Sequence, residues 1–188
     1  MSEKYVFIDR DGVINKDPGG WTEYGYVTRW EDFYFLPGSL EALAKLAEAG
    51  YKSVIISNQQ GVGKGYFTRE ALEDVTARMS REIKENKGSI AGAYYCMHKK
   101  EENCSCRKPK DGLFYMAQAG LGIKSFKGSF YIGDTERDIQ AGRKAGLGTI
   151  LVLSGKASRE DVENWEHKPD HVCDSLLSAV GIILGGGK

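Results

Sequence analysis

The strongest constraint on the fold of this 188-residue chain is a repeated change of hydrophobic period. Short apolar runs rich in β-formers alternate with stretches whose apolar residues recur every three or four positions. YVFID (5–9) is the first run. FLPGSLEALAKLAEAGYKSVIIS (35–57) gives a helix and then a second strand, with Leu40, Leu43, Ala44 and Ala47 on one helical face, Ser39 as N-cap and Gly50 as terminal glycine. TREALEDVTARMSREIKENKG (68–88) sets Leu72, Val75, Met79 and Ile83 on one stripe, and IAGAYYC (90–96) follows as a strand. DGLFYMAQAGLG, GSFYIGD, ERDIQAGRKAGLG and TILVLSG continue the alternation, and HVCD with SLLSAVGIIL closes it. Strands apolar throughout and separated by helices predict an α/β fold: a doubly wound parallel sheet covered on both faces and connected by right-handed crossovers. At this length one domain over 1–188 is expected. The only low-complexity piece is the terminal LGGGK (184–188).

Lysine plus arginine and aspartate plus glutamate balance at 26 each, and 41% of the residues are apolar. This argues against disorder and against a global electrostatic attraction to nucleic acid or anionic membranes. The start, MSEKYVFIDRDG, has no signal-like apolar region, and Leu176–Leu184 is too short to span a bilayer. A cytoplasmic protein with no membrane partner is expected, and in that reducing setting clustered cysteines point to metal ligation or catalysis rather than disulfides.

Ligands of open parallel sheets bind beyond the carboxyl ends of the strands. At those ends the sequence sets Asp9 and Asp11, then Ser57 and Asn58, then Lys108, then Asp134 and Asp138. Two carboxylates flanking one residue repel and call for a compensating cation; with GDTERD (133–138) nearby, the oxygen donors suit Mg²⁺ with room for water and a phosphate oxygen. Phosphoryl transfer needs an in-line nucleophile, positive charge and a proton shuttle, which Asp9, Lys108 and Asp11 can supply, with Ser57 and the amides around Asn58 adding hydrogen bonds. Each piece alone also fits loop solvation or a turn; their shared position at strand ends is what favours a site.

Cys96-x-His98 and Cys104-x-Cys106 supply three thiolates and one imidazole, a closed tetrahedral set for structural Zn²⁺. The paired spacing favours zinc over a metal-free loop or a nucleophilic cysteine. Cys173 lies apart on an apolar strand and reads as a core residue, whereas His167 and His171 receive no role.

FIDRDGVIN, the hydroxyl in ISNQQGVGKG, RKP and YIGDTERD together resemble, in order, the four motifs of the haloacid dehalogenase-like (HAD) phosphohydrolases, whose core is Rossmann-like. The resemblance implies that Asp9 is the nucleophile that becomes an aspartyl-phosphate and Asp11 the general acid/base. Ser57 would bind the phosphoryl group and Lys108 neutralise it. Mg²⁺ would be held by Asp9, the Asp11 carbonyl and Asp134, with Asp138 outside the ligand set. Gly12, Gly61, Gly63 and Gly65 would let backbone approach the ligand or relax a turn.

The CxH…CxC loop before RKP narrows the resemblance to the branch of heptose bisphosphate and histidinol-phosphate phosphatases, which implies that Arg107 and Lys108 face substrate. Gln60 stands where that branch commonly has a serine. Residues 16–35 form a longer loop whose Trp21, Tyr24, Tyr26 and Trp30 either line an entrance or pack as a flap. Neither the first gap nor the zinc loop holds a cap domain, so an open site is expected, with specificity from Arg107, the zinc loop and the flap; Arg107 and Lys64 would suit a second phosphate on the substrate. The expected function is a Mg²⁺-dependent phosphomonoesterase acting as a monomer on a small phosphorylated metabolite: a heptose 1,7-bisphosphate (7-phosphate removal), or alternatively histidinol phosphate. The different-class alternative, a nucleic-acid end-phosphatase or non-catalytic binding module, lacks the basic, aromatic-interleaved stripe it would need.

Overall fold

The computed structural model describes residues 3–185; of the terminal LGGGK, residues 186–188 lie outside the described residues. Six strands form one all-parallel sheet: β1 (Lys4–Ile8), β2 (Tyr51–Asn58), β3 (Ile90–Cys96), β4 (Phe130–Gly133), β5 (Gly148–Val152) and β6 (His171–Cys173), in the spatial order β3-β2-β1-β4-β5-β6. The helices are α1 (Ser39–Glu48), α2 (Gln60–Gly63), α3 (Arg69–Glu85), α4 (Gly112–Leu121), α5 (Glu136–Lys144), α6 (Arg159–Asn164) and α7 (Leu176–Leu184), joined by 3₁₀ turns at Trp30–Asp32 and Lys100–Glu102. The doubly wound α/β expectation holds.

The two faces of the sheet carry separate cores because successive strand side chains point to opposite sides. Val6, Ile8, Ile55 and Ile132 pack with Leu43 of α1, Val75 and Met79 of α3 and Val180 of α7. Tyr5, Phe7, Val54, Ile56 and Tyr131 pack with Leu113 and Phe114 of α4 and Ala141 of α5. Phe114 meets Phe7 and Tyr131 edge-on, at 5.3 and 4.9 Å between ring centroids. Cys173 is buried in the first core, as its apolar strand suggested.

The chain runs outward from β1 to β2 and β3, then crosses back to β4 on the other side of β1. The strand order therefore reverses between β1 and β4, and a crevice opens beyond their carboxyl ends. Between β1 and α1, and between β3 and α4, only turns and single 3₁₀ turns intervene, so nothing folded is inserted over that crevice among the described residues.

The α3 stripe of Leu72, Val75, Met79 and Ile83 is buried as its period predicts. On α1 the prediction needs correcting. The cap is Gly38, at φ +77°, and Ser39 is the first helical residue, its Oγ donating to the carbonyls of Ile14 and Leu36. Ser39, Ala42, Leu43 and Leu46 face the core, while Leu40, Ala44 and Ala47 are only half-buried. The apolar residues of this short helix nearly surround it, so its own period leaves the buried side ambiguous; the incoming loop decided it through Ser39. Leu43→Ala is expected to lower the unfolding free energy by about 2–5 kcal/mol, and Leu40→Ala by less than half as much. Equal losses in urea unfolding would contradict the corrected face.

Candidate active site

Asp9 follows β1 and Asp134 follows β4, on the two strands that flank the switch point, and the Asp9 amide donates to the Ile132 carbonyl at 2.9 Å. Carboxylate oxygens of Asp9, Asp134 and Asp138 all lie within 4.8 Å of one another. Gly12 and Gly155 make room for Asp134: a Cβ on either would fall 2.4 or 2.1 Å from its Oδ2. Gly12 also holds φ +84°. The backbone role expected of Gly12 is thus a close approach to a carboxylate, and Gly155, unmarked in the sequence, shares it.

Lys108, expected at the site from its strand-end place, is 3% exposed. Its Nζ sits 3.0 Å from Asp9 Oδ2 and 2.6 Å from Asp138 Oδ1, and donates to Tyr131 Oη at 2.8 Å and the Ile56 carbonyl at 3.2 Å. Burial works against its charge, but Asp138 and Asp9 hold its pKa above the ordinary lysine value. Asp138 is fully committed: Oδ1 also accepts from Tyr131, and Oδ2 accepts from the Thr135 amide and hydroxyl. Asn58 clasps the backbone of Lys108 in both directions, donating to its carbonyl and accepting from its amide.

Asp11 is held by four side-chain nitrogens, Nε and Nη2 of the fully buried Arg10, Nδ2 of Asn15 and Nε2 of Gln59. Burial favours its neutral form, yet Arg10 and the two amides carry its pKa below the ordinary value. Gln59 Nε2 also donates to Ser57 Oγ at 3.3 Å, which leaves the serine proton free for another acceptor. Arg10, Asn15, Gln59 and Tyr131 went unnoticed in the sequence, because each looks like an ordinary strand or turn residue until the fold brings it to a carboxylate.

These groups border an open cleft of ≈ 520 Å³, including its mouth. Asp9, Asp11, Ser57, Asn58, Lys108, Asp134 and Asp138 all line it. So do Asp17, Pro18, Gly25 and Tyr26 from the 16–35 segment, and Thr135, Arg137 and Lys156, none of which the sequence reading assigned a role at the site apart from Tyr26. Arg107 and Lys64 are not among the lining residues; Arg107 is half-buried, with Nη1 lacking a hydrogen-bond partner. The aromatics mostly pack: Tyr24 stacks on Tyr66 at 4.7 Å, Trp30 on Phe33 at 5.1 Å, and Trp21 leans on Tyr34. Gly61 and Gly63 serve contacts other than ligand approach. The first abuts Phe67 and Tyr26, and the second the Met97 carbonyl of the cysteine loop.

That loop gathers the four predicted ligands. Cys96 Sγ lies 3.6 Å from Cys104 Sγ and 3.8 Å from His98 Nδ1, while Cys106 Sγ lies 3.5 Å from Cys104 Sγ and 3.3 Å from His98 Nδ1. Disulfide sulfurs stand about 2.05 Å apart, so these thiols are unbonded. Their spacings match the edges of a tetrahedron around a metal with bonds of about 2.3 Å to sulfur and 2.0 Å to nitrogen. Burial opposes ionisation of the thiols, but hydrogen bonding from Cys106 brings Cys104 down to about 7.

Five carboxylates and three cationic side chains line the cleft. An approaching phosphate dianion would meet net negative charge. Burial, moderated by Lys108, pushes Asp9 up to about 6, and burial with Asp138 and Asp9 pushes Asp134 well above its ordinary value. The donors are all oxygen, which fits a hard divalent cation such as Mg²⁺. A raised carboxylate pKa stabilises the folded protein below the ordinary value of 3.8, and that contribution is lost as pH rises through about 6. Cation binding requires the deprotonated form. Adding Mg²⁺ should therefore raise the melting temperature clearly at pH 7.5 and hardly at pH 5; equal shifts at both would contradict binding at this cluster.

A HAD-hydrolase-like family model matches residues 105–179. The D-glycero-beta-D-manno-heptose-1,7-bisphosphate 7-phosphatase of Haemophilus ducreyi is 37% identical over 191 residues, covering 97% of this chain and 100% of that protein. The enzyme of the same name from Vibrio cholerae is 40% identical, covering 87% and 88%. Among solved structures, the D,D-heptose 1,7-bisphosphate phosphatase of B. bronchiseptica, complexed with magnesium and phosphate, superposes with a TM-score of 0.85 at 29% identity, covering 97% of this chain and 98% of that one. With matching motifs, fold and near-complete coverage, the chain belongs to the haloacid dehalogenase-like phosphatases, in the family of the heptose-1,7-bisphosphate phosphatases.

Proposed function

We propose that this phosphatase removes the 7-phosphate of D-glycero-D-manno-heptose 1,7-bisphosphate, with Asp9 as nucleophile. The observation that carries the chemistry is the set of Asp9, Asp134 and buried Lys108 meeting at the switch point of an uncapped sheet; the substrate follows from the relatives' activity.

A carboxylate oxygen of Asp9 attacks phosphorus in line with the leaving sugar oxygen, forming an aspartyl-phosphate. Lys108, already paired with Asp9, offers charge to the phosphoryl oxygens, and the free proton of Ser57 donates to one of them. Asp11 starts as a carboxylate under its four donors. As the dianionic ester binds beside it, its proton affinity rises and it takes a proton from solvent; it gives that proton to the leaving oxygen and then takes one from the water that hydrolyses the aspartyl-phosphate. Asp9, Asp134 and the Asp11 carbonyl would hold Mg²⁺, which supplies double positive charge to the phosphoryl oxygens. Asp138 stays outside that set because both its oxygens are engaged, and it positions Lys108 instead. Asn58 fixes the Lys108 backbone at the cleft wall; Arg107 lies outside the cleft lining, so its expected substrate contact rests on the motif resemblance alone.

Cys96, His98, Cys104 and Cys106 would hold Zn²⁺ as a structural brace, since all four tetrahedral positions are filled by protein. The same reading has the enzyme act as a single-domain cytoplasmic monomer on a small phosphorylated sugar, with no nucleic-acid or membrane partner. No helix among the described residues is long and apolar enough to cross a membrane.

A panel of phosphorylated metabolites that includes heptose 1,7-bisphosphate and histidinol phosphate tests the substrate. The heptose should have the highest kcat/KM, and Asp9→Asn should lower kcat by more than about a thousand-fold with an unchanged circular dichroism spectrum. Turnover surviving in Asp9→Asn would exclude the nucleophile role, and a preference for histidinol phosphate would exclude the heptose. Elemental analysis should find about one zinc per chain, with loss of metal and a lower melting temperature in Cys104→Ser; a metal-free protein of unchanged stability would remove the brace.

A further inference from the structure

Lys108 carries three N–H donors, yet four oxygens stand within reach of its Nζ: Asp138 Oδ1 at 2.6 Å, Tyr131 Oη at 2.8 Å, Asp9 Oδ2 at 3.0 Å and the Ile56 carbonyl at 3.2 Å. Tyr131 has one proton and two acceptors for it, Asp138 Oδ1 at 3.0 Å and the Ile56 carbonyl at 3.3 Å. The Ile56 carbonyl is therefore the acceptor that both the lysine and the tyrosine can serve. The β1–β2 ladder ends at the pair Ile8 and Ile55, and this carbonyl lies one residue further on, where the two side chains reach it. A buried carbonyl left without a donor is destabilising, so one of the two has to stay on it.

Only the hydroxyl proton of Tyr131 is free to move. The side chain is fully buried, its ring meets Phe114 edge-on at 4.9 Å between centroids, and Gly142 packs so closely against it that a Cβ there would lie 3.1 Å from its Cδ1. Burial, with the nearby acids Asp138 and Asp9, holds the phenol well above its ordinary pKa, so the proton stays on the oxygen. Rotation about the C–O bond turns that proton from Asp138 to the Ile56 carbonyl with no heavy atom displaced. Lys108, by contrast, has to change partners. Asp9, Asp138 and the Ile56 carbonyl take up its three donors at rest, and a phosphoryl oxygen in the cleft requires one of them.

We propose that Tyr131 is a positioning residue that works as a hydrogen-bond relay: as Lys108 turns one N–H from the Ile56 carbonyl to the phosphoryl oxygen, the Tyr131 hydroxyl turns from Asp138 to that carbonyl. The proposal rests on the reading of the chain as a phosphatase and names how its buried lysine is released to the phosphoryl group. Every group stays paired through the change, because Asp138 keeps Lys108 on one oxygen and Thr135 on the other. At rest the relay contributes little. In Tyr131→Phe, Lys108 still matches three donors to three acceptors, and the ring still packs on Phe114. The deficit arises only when Lys108 turns to the ligand and leaves the Ile56 carbonyl bare. A relay and a purely structural hydroxyl thus have opposite consequences for the same substitution.

The test compares the parent enzyme with Tyr131→Phe. The melting temperature should stay within about 3 °C. Calorimetric affinity for orthovanadate with Mg²⁺, a mimic of five-coordinate phosphorus, should fall about ten- to a hundred-fold, while affinity for Mg²⁺ alone changes by less than about three-fold. With heptose 1,7-bisphosphate, kcat should fall by a similar factor and KM change by less than about three-fold, the pattern of an interaction made only in the transition state. A larger drop in melting temperature, equal weakening of Mg²⁺ and orthovanadate, an unchanged orthovanadate affinity, or no orthovanadate binding by the parent overturns the relay. Turnover by the parent with an unchanged orthovanadate affinity in Tyr131→Phe sinks the relay and leaves the phosphatase reading. No turnover of any metabolite phosphate by the parent, with orthovanadate affinity still lowered in Tyr131→Phe, sinks that reading and leaves the relay.

Discussion

The ammonium of Lys108, buried between the carboxylates of Asp9 and Asp138, is the interaction on which the rest of the site depends. A charge removed from water is tolerated only when paired and hydrogen-bonded, and removing one partner from such a pair costs about 3–5 kcal/mol. Here the partners come from four places: Asp9 after β1, the Ile56 carbonyl on β2, Tyr131 on β4 and Asp138 on α5. One lysine thereby ties together the strands that flank the switch point. Asp138 extends the tie into secondary structure, because its other oxygen accepts from Thr135 and closes the capping box at the start of α5. Helix start, strand junction and buried positive charge are one network.

The cysteine loop takes its meaning from that lysine. Its Cys/His cluster ends two residues before Lys108, and the KKEEN stretch (99–103) between His98 and Cys104 has no apolar residue with which to fold. Lys110 donates to the Asn103 and Cys104 carbonyls, the Cys96 carbonyl accepts from the Gln59 amide, and the Met97 carbonyl accepts from Gly63. The loop is thus fastened to α2 on one side while Asn58 grips Lys108 on the other. A segment fastened by these contacts beside an uncapped sheet holds the lysine in register without a covering domain. The 16–35 segment does the complementary work at the mouth, where Tyr26 and Asp17 reach the cleft and the other aromatics hold it down against Tyr66 and the Phe33 cluster.

Alternating hydrophobic periods determined the α/β class, the strands, the α3 stripe and the strand-end position of Asp9, Asp11, Ser57, Lys108 and Asp134, because periodicity and order are local and the carboxyl ends of parallel strands share one edge. The Cys/His spacing likewise determined the cluster of Cys96, His98, Cys104 and Cys106, since a two-residue step lets neighbouring side chains converge. Only the tertiary structure decided which face of α1 is buried, that Gln59, Arg10 and Tyr131 serve the carboxylates, that Gly155 makes space for Asp134, and that Arg137 and Lys156 share the cleft's mouth. Those facts rest on contacts between residues far apart in the chain: Gln59 meets Asp11 and Tyr131 meets Lys108 only after the sheet has formed. Local pattern carries no information about such partners, because they are chosen by the packing of strands and loops that the pattern merely permits.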